Sequence, residues 1–323
     1  MKYKQELNLS IIIPHYNSPR LLDKLIESIP DRCDIQIIVV DDNSNKELDV
    51  LKHVIDKFSN RIEFYTNHTP SKGAGTCRNI GLEYVKGKWL LFADADDYFL
   101  KGMYEQVNKY FESDCDIIFF PPLSVCIDDD KPSHRHELYQ RLILNYVQNP
   151  TRKNLLKLKS NPENPPWSKL IKTEMVENDH IRFEEVLYSN DIMFSAKIGY
   201  YSKKIETSQN SIYCVTRSRG SLTTYKDINA FNIRMNEYIK VGVFLKEKYS
   251  KKDFSYLHIT GIGTLYRAIR EKYGLKEYML IIKTFKENGI PLITVNTFAG
   301  GHFLKRIWRT EREKLLDRKF LIR

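Results

Sequence analysis

The sequence lacks several features that would have decided its class at once. No apolar run in its 323 residues approaches the roughly 18 that a membrane-spanning helix needs. The first residues, MKYKQELNLS, have no apolar signal-peptide core, so we expect a cytoplasmic protein. There are five scattered cysteines and no CxxC pair, which favours free thiols over disulfides or a zinc site. We found no internal repeat and no low-complexity tract.

Positive charge is unevenly distributed along the chain. Residues 226–323 hold 21 Lys and Arg against 10 Asp and Glu, whereas residues 1–225 hold 30 against 31. This asymmetry predicts a near-neutral domain over residues 1–225 that carries the chemistry. A basic, helical C-terminal region over residues 226–323 would then face an anionic partner.

Strand and helix patterns alternate over the first hundred residues. The apolar runs 9–13, 35–40, 62–66 and 89–93 read as strands, and helical spacing of apolar residues separates most of them. This order predicts an α/β, Rossmann-like fold with a mostly parallel sheet and helices on both faces. Ligands of such sheets bind beyond the carboxyl ends of the strands.

Carboxylates follow two of these predicted strands. Asp41 and Asp42 end one, and Asp94, Asp96 and Asp97 follow another in the segment LLFADADDYF. Asp94 and Asp96 point to one side of an extended chain, so they form a hard-oxygen site suited to Mg²⁺ or Mn²⁺. The alternative is a solvated acidic turn, and we expect Asp97 to be only a helix cap.

Several motifs together carry a more specific signal than the acids alone. They are IIIPHYN (11–17), VVDDNS (39–44), GAGTCRNIGLEYVKGKWLLFADADD (73–97), WSKL (167–170), SNDIMF (189–194) and RSRGSLT (217–223). In this order they resemble the inverting family 2 glycosyltransferases, which have the glycosyltransferase A-type fold. The resemblance covers about the first 225 residues.

The resemblance implies a nucleotide-sugar site at the strand ends. Pro14 and Tyr16 would form the floor under the nucleotide base, and Asp41 would accept a hydrogen bond from it, typically from uracil. Arg78 would lie near the nucleotide. Two alternatives stay open at this point: Asp41 as a cap of the loop that follows it, and Arg78 as an ordinary helix-surface arginine.

The same resemblance assigns the metal. Asp94-Ala95-Asp96 would be the family's DXD motif, with Asp94 near the ribose and both acids at a Mn²⁺ or Mg²⁺ ion that Asp96 holds against the diphosphate. Arg217 and Arg219 would sit on a loop that closes over the diphosphate. Their alternative is a solvated basic loop.

The general base is expected later in the chain, where the family commonly carries Glu-Asp at a helix start. Here the pair is Asn190-Asp191, which keeps the base, Asp191, but replaces its partner. We expect the helix dipole to keep the pKa of Asp191 low. Glu184 and Glu185 are alternative bases, and Asp191 as a mere helix cap is the structural alternative.

Trp167 and Lys169 fit the segment that faces the acceptor. The Trp167 ring would stack on a sugar, although after Pro165-Pro166 it would equally suit the core.

The last stretch, residues 302–323, mixes apolar and aromatic residues with eight Lys and Arg. One interpretation is peripheral association with the anionic inner face of the plasma membrane. The others are a solvated terminal helix and a subunit contact.

The leading hypothesis is therefore a metal-dependent glycosyltransferase that acts in surface polysaccharide synthesis. It would move one hexosyl or N-acetylhexosaminyl group from a nucleotide-sugar, with a UDP-sugar expected, to a glycan or lipid-linked acceptor. A catalytically silent sugar-binding scaffold of the same fold is the main alternative. A sugar-phosphate nucleotidyltransferase is disfavoured because PHYNSPR (14–20) is not a glycine-rich phosphate loop. A nucleic-acid-binding protein is disfavoured because the usual basic-aromatic motifs are missing.

Overall fold

The computed structural model describes residues 7–127, 131–162, 164–217 and 227–294. Its chain divides into two compact units, Met1–Tyr238 and Ile239–Arg323. The functional division that we place after residue 225 stays a prediction.

The first unit is built on a seven-stranded sheet with the order β3-β2-β1-β4-β8-β6-β9. The strands are β1 (Leu9–His15), β2 (Ile35–Asp41), β3 (Ile62–Thr66), β4 (Trp89–Phe92), β6 (Ile117–Phe119), β8 (Lys169–Lys172) and β9 (Ile205–Thr207). All pairs are parallel except those of β8, which runs antiparallel to β4 and β6. A smaller sheet joins β5 (Tyr98–Phe99), β10 (Tyr213–Arg217) and β7 (Leu123–Cys126) in that order.

Eight helices and part of a ninth accompany these strands within the described residues of this unit. They are α1 (Pro19–Ser28), α2 (Leu48–Lys57), α3 (Ala74–Leu82), α4 (Met103–Val107), α5 (Glu137–Gln148), α6 (Arg152–Ser160), α7 (Thr173–Asn178), α8 (Ile192–Tyr201) and the start of α9 (Ile228–Lys248). Every residue of β1 and β2 is buried, which requires cover on both faces of the central sheet. The predicted α/β fold with a mostly parallel sheet is confirmed.

The first turn of α1 is held by a contact with β1 and not by a side-chain cap. Pro19 occupies the first helical position, which suits its fixed φ, but the Ser18 side chain makes no capping hydrogen bond. Instead, the Ser18 backbone N–H donates to Nε2 of His15, 3.2 Å away. The loop after β1 is thereby tied to the strand that it leaves.

Over its described residues, 239–294, the second unit is helical. It contains the rest of α9, then α10 (Lys251–Leu257), α11 (Ile262–Arg270) and α12 (Leu275–Glu287). Ile281 and Phe285 form the buried face of α12, in agreement with the apolar spacing there. Among the described residues, every helix is too short or too polar to cross a membrane. Residues 302–323, where we place the membrane-facing segment, lie outside the described residues.

Candidate active site

The acidic cluster lies on a tight turn at the carboxyl end of β4. The Asp97 N–H donates to the Asp94 carbonyl at 3.0 Å, and the turn gathers carboxylate oxygens of Asp94, Asp96 and Asp97 within 4.8 Å of one another. Burial raises the pKa of Asp96, the neighbouring Asp94 raises it further, and Arg135 opposes them. Such crowding of like charges is relieved when a cation binds.

Asp97 is a structural member of this cluster. Its carboxylate accepts hydrogen bonds from the Tyr213 hydroxyl at 2.8 Å and the Thr216 backbone N–H at 2.6 Å. Both donors lie on β10, so Asp97 anchors the small sheet, and the expectation that it caps a helix is wrong. Burial raises its pKa well above the usual range, and Asp96 and Asp94 add to the shift.

Asp94 and Asp96 are therefore the acids that fit a metal. Both side chains are half-buried, and carboxylate oxygens are the donors that Mg²⁺ and Mn²⁺ prefer. Two such ligands leave coordination positions for the phosphates of a substrate.

Arg78 connects these acids to a distant part of the chain. It donates from Nη2 to Oδ1 of Asp94 at 2.6 Å and from Nη1 to Oδ1 of Asn190 at 3.0 Å, and its guanidinium carbon is 5.2 Å from the centre of the Phe183 ring. Its side chain is only 5% exposed. The alternative of an ordinary surface arginine is wrong.

Gly75 allows α3 to approach the segment that carries Asn190 and Asp191. A Cβ at this position would lie 2.3 Å from the Glu184 carbonyl oxygen and 2.8 Å from the Asn190 Cβ. The glycine-rich loop SKGAGT (71–76), whose last residues begin α3, therefore brings Arg78 within reach of Asn190.

Asp191 occupies the N-cap position of α8, but its side chain makes no capping hydrogen bond. Burial raises the pKa of Asp191, and the charge of Asp94 adds to this rise. The positive charges of Arg78 and Lys169 oppose it. The expectation that the helix dipole keeps this pKa low is wrong, because burial outweighs it. A carboxylate with a raised pKa is a stronger base for an acceptor hydroxyl. Of the alternative bases, Glu185 is exposed and Glu184 is half-buried.

The candidate nucleotide end lies at the carboxyl ends of β1 and β2. Tyr16 is 55% exposed, whereas Pro14 is buried within β1 opposite Val40. Asp41 is buried and accepts hydrogen bonds from His15 at 2.7 Å and from the Ser44 hydroxyl at 2.6 Å. Burial would raise the pKa of Asp41, but these hydrogen bonds outweigh burial and lower it.

The sequence analysis assigned no role to two residues near the site. Asp42 accepts hydrogen bonds from the Asn67 amide at 2.8 Å and the Gly73 N–H at 2.7 Å, which joins β2 to the glycine-rich loop. Arg135 donates to the Thr216 carbonyl at 2.9 Å, and its charge opposes the raised pKa values of Asp96 and Asp97. Asp42 could have been found as the second acid of VVDDNS, whereas Arg135 lies in the polar sequence KPSHRH (131–136), which contains no recognisable motif.

Trp167 and Lys169 are both buried, and Lys169 is the first residue of β8. Trp167 is 7% exposed and stacks on Tyr213 with ring centres 5.7 Å apart, which suits the core alternative. Lys169 donates to the Pro165 carbonyl and lies 5.1 Å from the centre of the Tyr139 ring. Burial lowers its pKa to about 7, and Asp191 opposes this shift. An acceptor-side role for either residue stays a prediction.

The basic loop is described only at its start. Arg217 ends β10, opposite Cys126 of β7. Arg219 lies outside the described residues.

Comparison with known proteins identifies the family. The model of "Glycosyl transferase family 2" matches residues 10–178. The chain belongs to this family. The matched residues include the glycine-rich loop, the acidic segment 94–97 and β8, so the resemblance seen in the motifs is confirmed.

The relatives of this chain align with different fractions of its length. A GalNAc(5)-diNAcBac-PP-undecaprenol beta-1,3-glucosyltransferase of Campylobacter jejuni is 36% identical over 96 residues, which is 29% of this chain and 31% of the relative. A cholesterol galactosyltransferase of Borreliella burgdorferi is 24% identical over 98% of this chain and 82% of its own length. The crystal structure of S. aureus TarS 1-349 in complex with UDP-GlcNAc aligns with a TM-score of 0.68 at 18% identity, over 90% of this chain and 85% of that one, which shows a shared fold.

Proposed function

We propose that this protein transfers a single sugar from a nucleoside-diphosphate sugar, a UDP-sugar, to a hydroxyl of a glycan or lipid-linked acceptor, with inversion at the sugar C1. The observation that carries the proposal is the double contact of Arg78. It joins Asp94 to Asn190, 112 residues away from Arg78 in the sequence, and so supports one site that contains both the proposed metal acids and Asp191. Metal ligands and a base in one site are what sugar transfer to a hydroxyl needs.

The chemistry is a displacement at one carbon. Asp191 takes the proton of the acceptor hydroxyl, whose oxygen forms a bond to C1 on the face opposite the nucleotide. The bond from C1 to the diphosphate oxygen breaks, and its electron pair leaves with the diphosphate. A Mn²⁺ or Mg²⁺ ion on Asp94 and Asp96 supplies charge stabilisation to this leaving group when bound. Arg78 and Arg135 contribute fixed positive charge nearby.

Arg217 and Arg219 would close over the diphosphate in this scheme, and Tyr16, Pro14 and Asp41 would receive the base. Support for Tyr16 comes from its exposed ring at the strand end.

The names of the relatives and the distribution of charge support a proposal for the acceptor class. Two relatives are named for acceptors with lipid character, an undecaprenol-linked glycan and cholesterol. Residues 226–323 carry the whole basic excess of the chain. We therefore propose surface-glycan or glycolipid synthesis by a cytoplasmic protein that binds the inner face of the membrane through residues 302–323.

Titration calorimetry with UDP, in Mn²⁺ and in EDTA, tests the donor site. We expect tighter binding in Mn²⁺ for the wild type and loss of that gain in Asp96→Asn. Equal affinity in both buffers would refute the metal assignment.

The base is tested with Asp191→Asn, which should bind UDP normally and lose transfer, because Asp191 contacts the acceptor proton and not the nucleotide. Glu185→Gln is the matched control in the same segment and should keep transfer. Near-normal turnover by Asp191→Asn would move the base to Glu184 or Glu185. A wild type that binds UDP-sugars without transferring or hydrolysing any of them would favour the silent scaffold.

A further inference from the structure

We propose that His15 is a positioning residue of the donor site, which holds Asp41 and the loop bearing Tyr16 in the arrangement that receives the nucleotide base. This inference rests on the proposed function. It concerns a buried histidine, 1% exposed, at the last position of β1. Nothing in the scheme above uses its side chain.

Both ring nitrogens of His15 are engaged, and together they define its tautomer. Nε2 lies 3.2 Å from the Ser18 backbone nitrogen, whose N–H can only donate, so Nε2 is the unprotonated acceptor. Nδ1 therefore carries the hydrogen and donates it to Oδ1 of Asp41 at 2.7 Å. A neutral imidazole thus bridges the β1–α1 loop and the end of β2.

Ser44 and Asn17 extend this bridge around Tyr16. The Ser44 hydroxyl donates to Asp41 at 2.6 Å and accepts from the Asn17 N–H at 2.8 Å. The Asn17 side-chain oxygen accepts from the backbone N–H groups of Asn45 at 2.8 Å and Lys46 at 3.0 Å. Asn17 has a φ of 51°, a left-handed conformation that these hydrogen bonds hold in place.

The location of this network argues for a role in binding. The same two strands are already joined at their other end by a buried polar pair, Ser10 to Gln36 at 2.6 Å. A second buried network containing a carboxylate is costly unless every member is satisfied, and an apolar pair would join the strands at lower cost. One of the two loops that the network joins carries the exposed Tyr16. A ring fixed before binding loses less entropy when a base stacks on it.

The test compares UDP affinity by titration calorimetry in four variants. His15→Leu keeps apolar bulk but removes both hydrogen bonds, and we expect UDP binding to weaken about tenfold, the equivalent of roughly 1.4 kcal/mol. His15→Gln should retain most of the affinity, because an amide can both donate to Asp41 and accept from Ser18. Ser10→Ala removes the matched pair at the far end of the strands and should bind UDP as the wild type does. Asn17→Ala weakens the same network from an accessible position and should lower affinity even if His15→Leu folds poorly.

Several results would overturn the inference. One is a folded His15→Leu variant that binds UDP within twofold of the wild type, and another is an equal loss in Ser10→Ala. Equal losses in the Leu and Gln variants would show that the hydrogen bonds are not the cause. A wild type that binds no nucleotide would refute the proposed function, and this inference with it.

Discussion

Replacing Arg78 by methionine should destabilise the first unit strongly, because Arg78 is the buried link between Asp94 and Asn190. The change removes two hydrogen bonds from a charged donor, each worth about 1.5–3 kcal/mol. Since the Asp94 side chain is 28% exposed and can regain water, we take the lower end, about 3 kcal/mol in total. In a unit of this size 1 kcal/mol shifts the melting temperature by roughly 2–4 °C, so we expect a loss of about 6–12 °C.

Arg20→Met is the matched control. Arg20 pairs with Glu47 at 2.9 Å, but the two side chains are 70% and 44% exposed. Such a surface pair contributes about 0–1 kcal/mol, so this variant should melt within a few degrees of the wild type. Differential scanning calorimetry of both variants, checked by urea denaturation, measures the difference. An Arg78→Met protein that melts no lower than the Arg20 control would refute the assignment of Arg78 as a buried link.

Two further predictions concern the same site. Gly75→Ala should reduce transfer much more than UDP binding, because a methyl group there meets the Glu184 carbonyl and Asn190 and displaces the segment carrying Asp191; unchanged transfer kinetics would contradict this. Lys169→Met should flatten the pH dependence of stability. The pKa of Lys169 falls from 10.5 to about 7 on folding, so between these values the unfolded chain binds one proton more than the native state does. Stability should then rise with pH across that window by about 1.4 kcal/mol per unit. Urea midpoints of wild type and variant at pH 7, 8 and 9 measure this pH dependence. Equal slopes of stability against pH in the two proteins would contradict the prediction.

The central strands and the acids at their ends could be predicted because their signals are local. A buried parallel strand is a continuous apolar run, and Asp41 and Asp94 follow such runs directly. The glycine-rich loop before α3 was visible for the same reason. Strand β8 shows the limit of such signals. Its four residues, KLIK, carry no mark that they insert antiparallel between β4 and β6, because the choice of partners depends on residues far along the chain.

Side-chain roles were predicted less well, since they depend on long-range pairs. From the sequence Asp97 is expected to cap a helix, but in the structure it accepts a hydrogen bond from Tyr213, 116 residues away. His15 sits in an ordinary apolar strand, and its partner Asp41 is 26 residues away. Asp191 at a helix start suggests a low pKa, but the burial that raises it is a property of the assembled fold. Spacing alone carries none of this information.

The three carboxylates after β4 differ in what balances them, and that difference distinguishes their roles. Asp97 is fixed by two donors on β10, and Asp94 is paired with the Arg78 guanidinium at 2.6 Å. For Asp96 the opposing charge is Arg135, which does not overcome burial and the field of Asp94, so the pKa of Asp96 stays raised. Asp97 is buried and both of its carboxylate oxygens already accept hydrogen bonds, so of the two more accessible acids Asp96 gains more from a divalent cation. Because Asp94 already pairs with Arg78, Asp96 would supply the larger part of the negative charge that holds a Mn²⁺ or Mg²⁺ ion. Neutralising Asp96 should therefore remove the metal-dependent part of UDP binding.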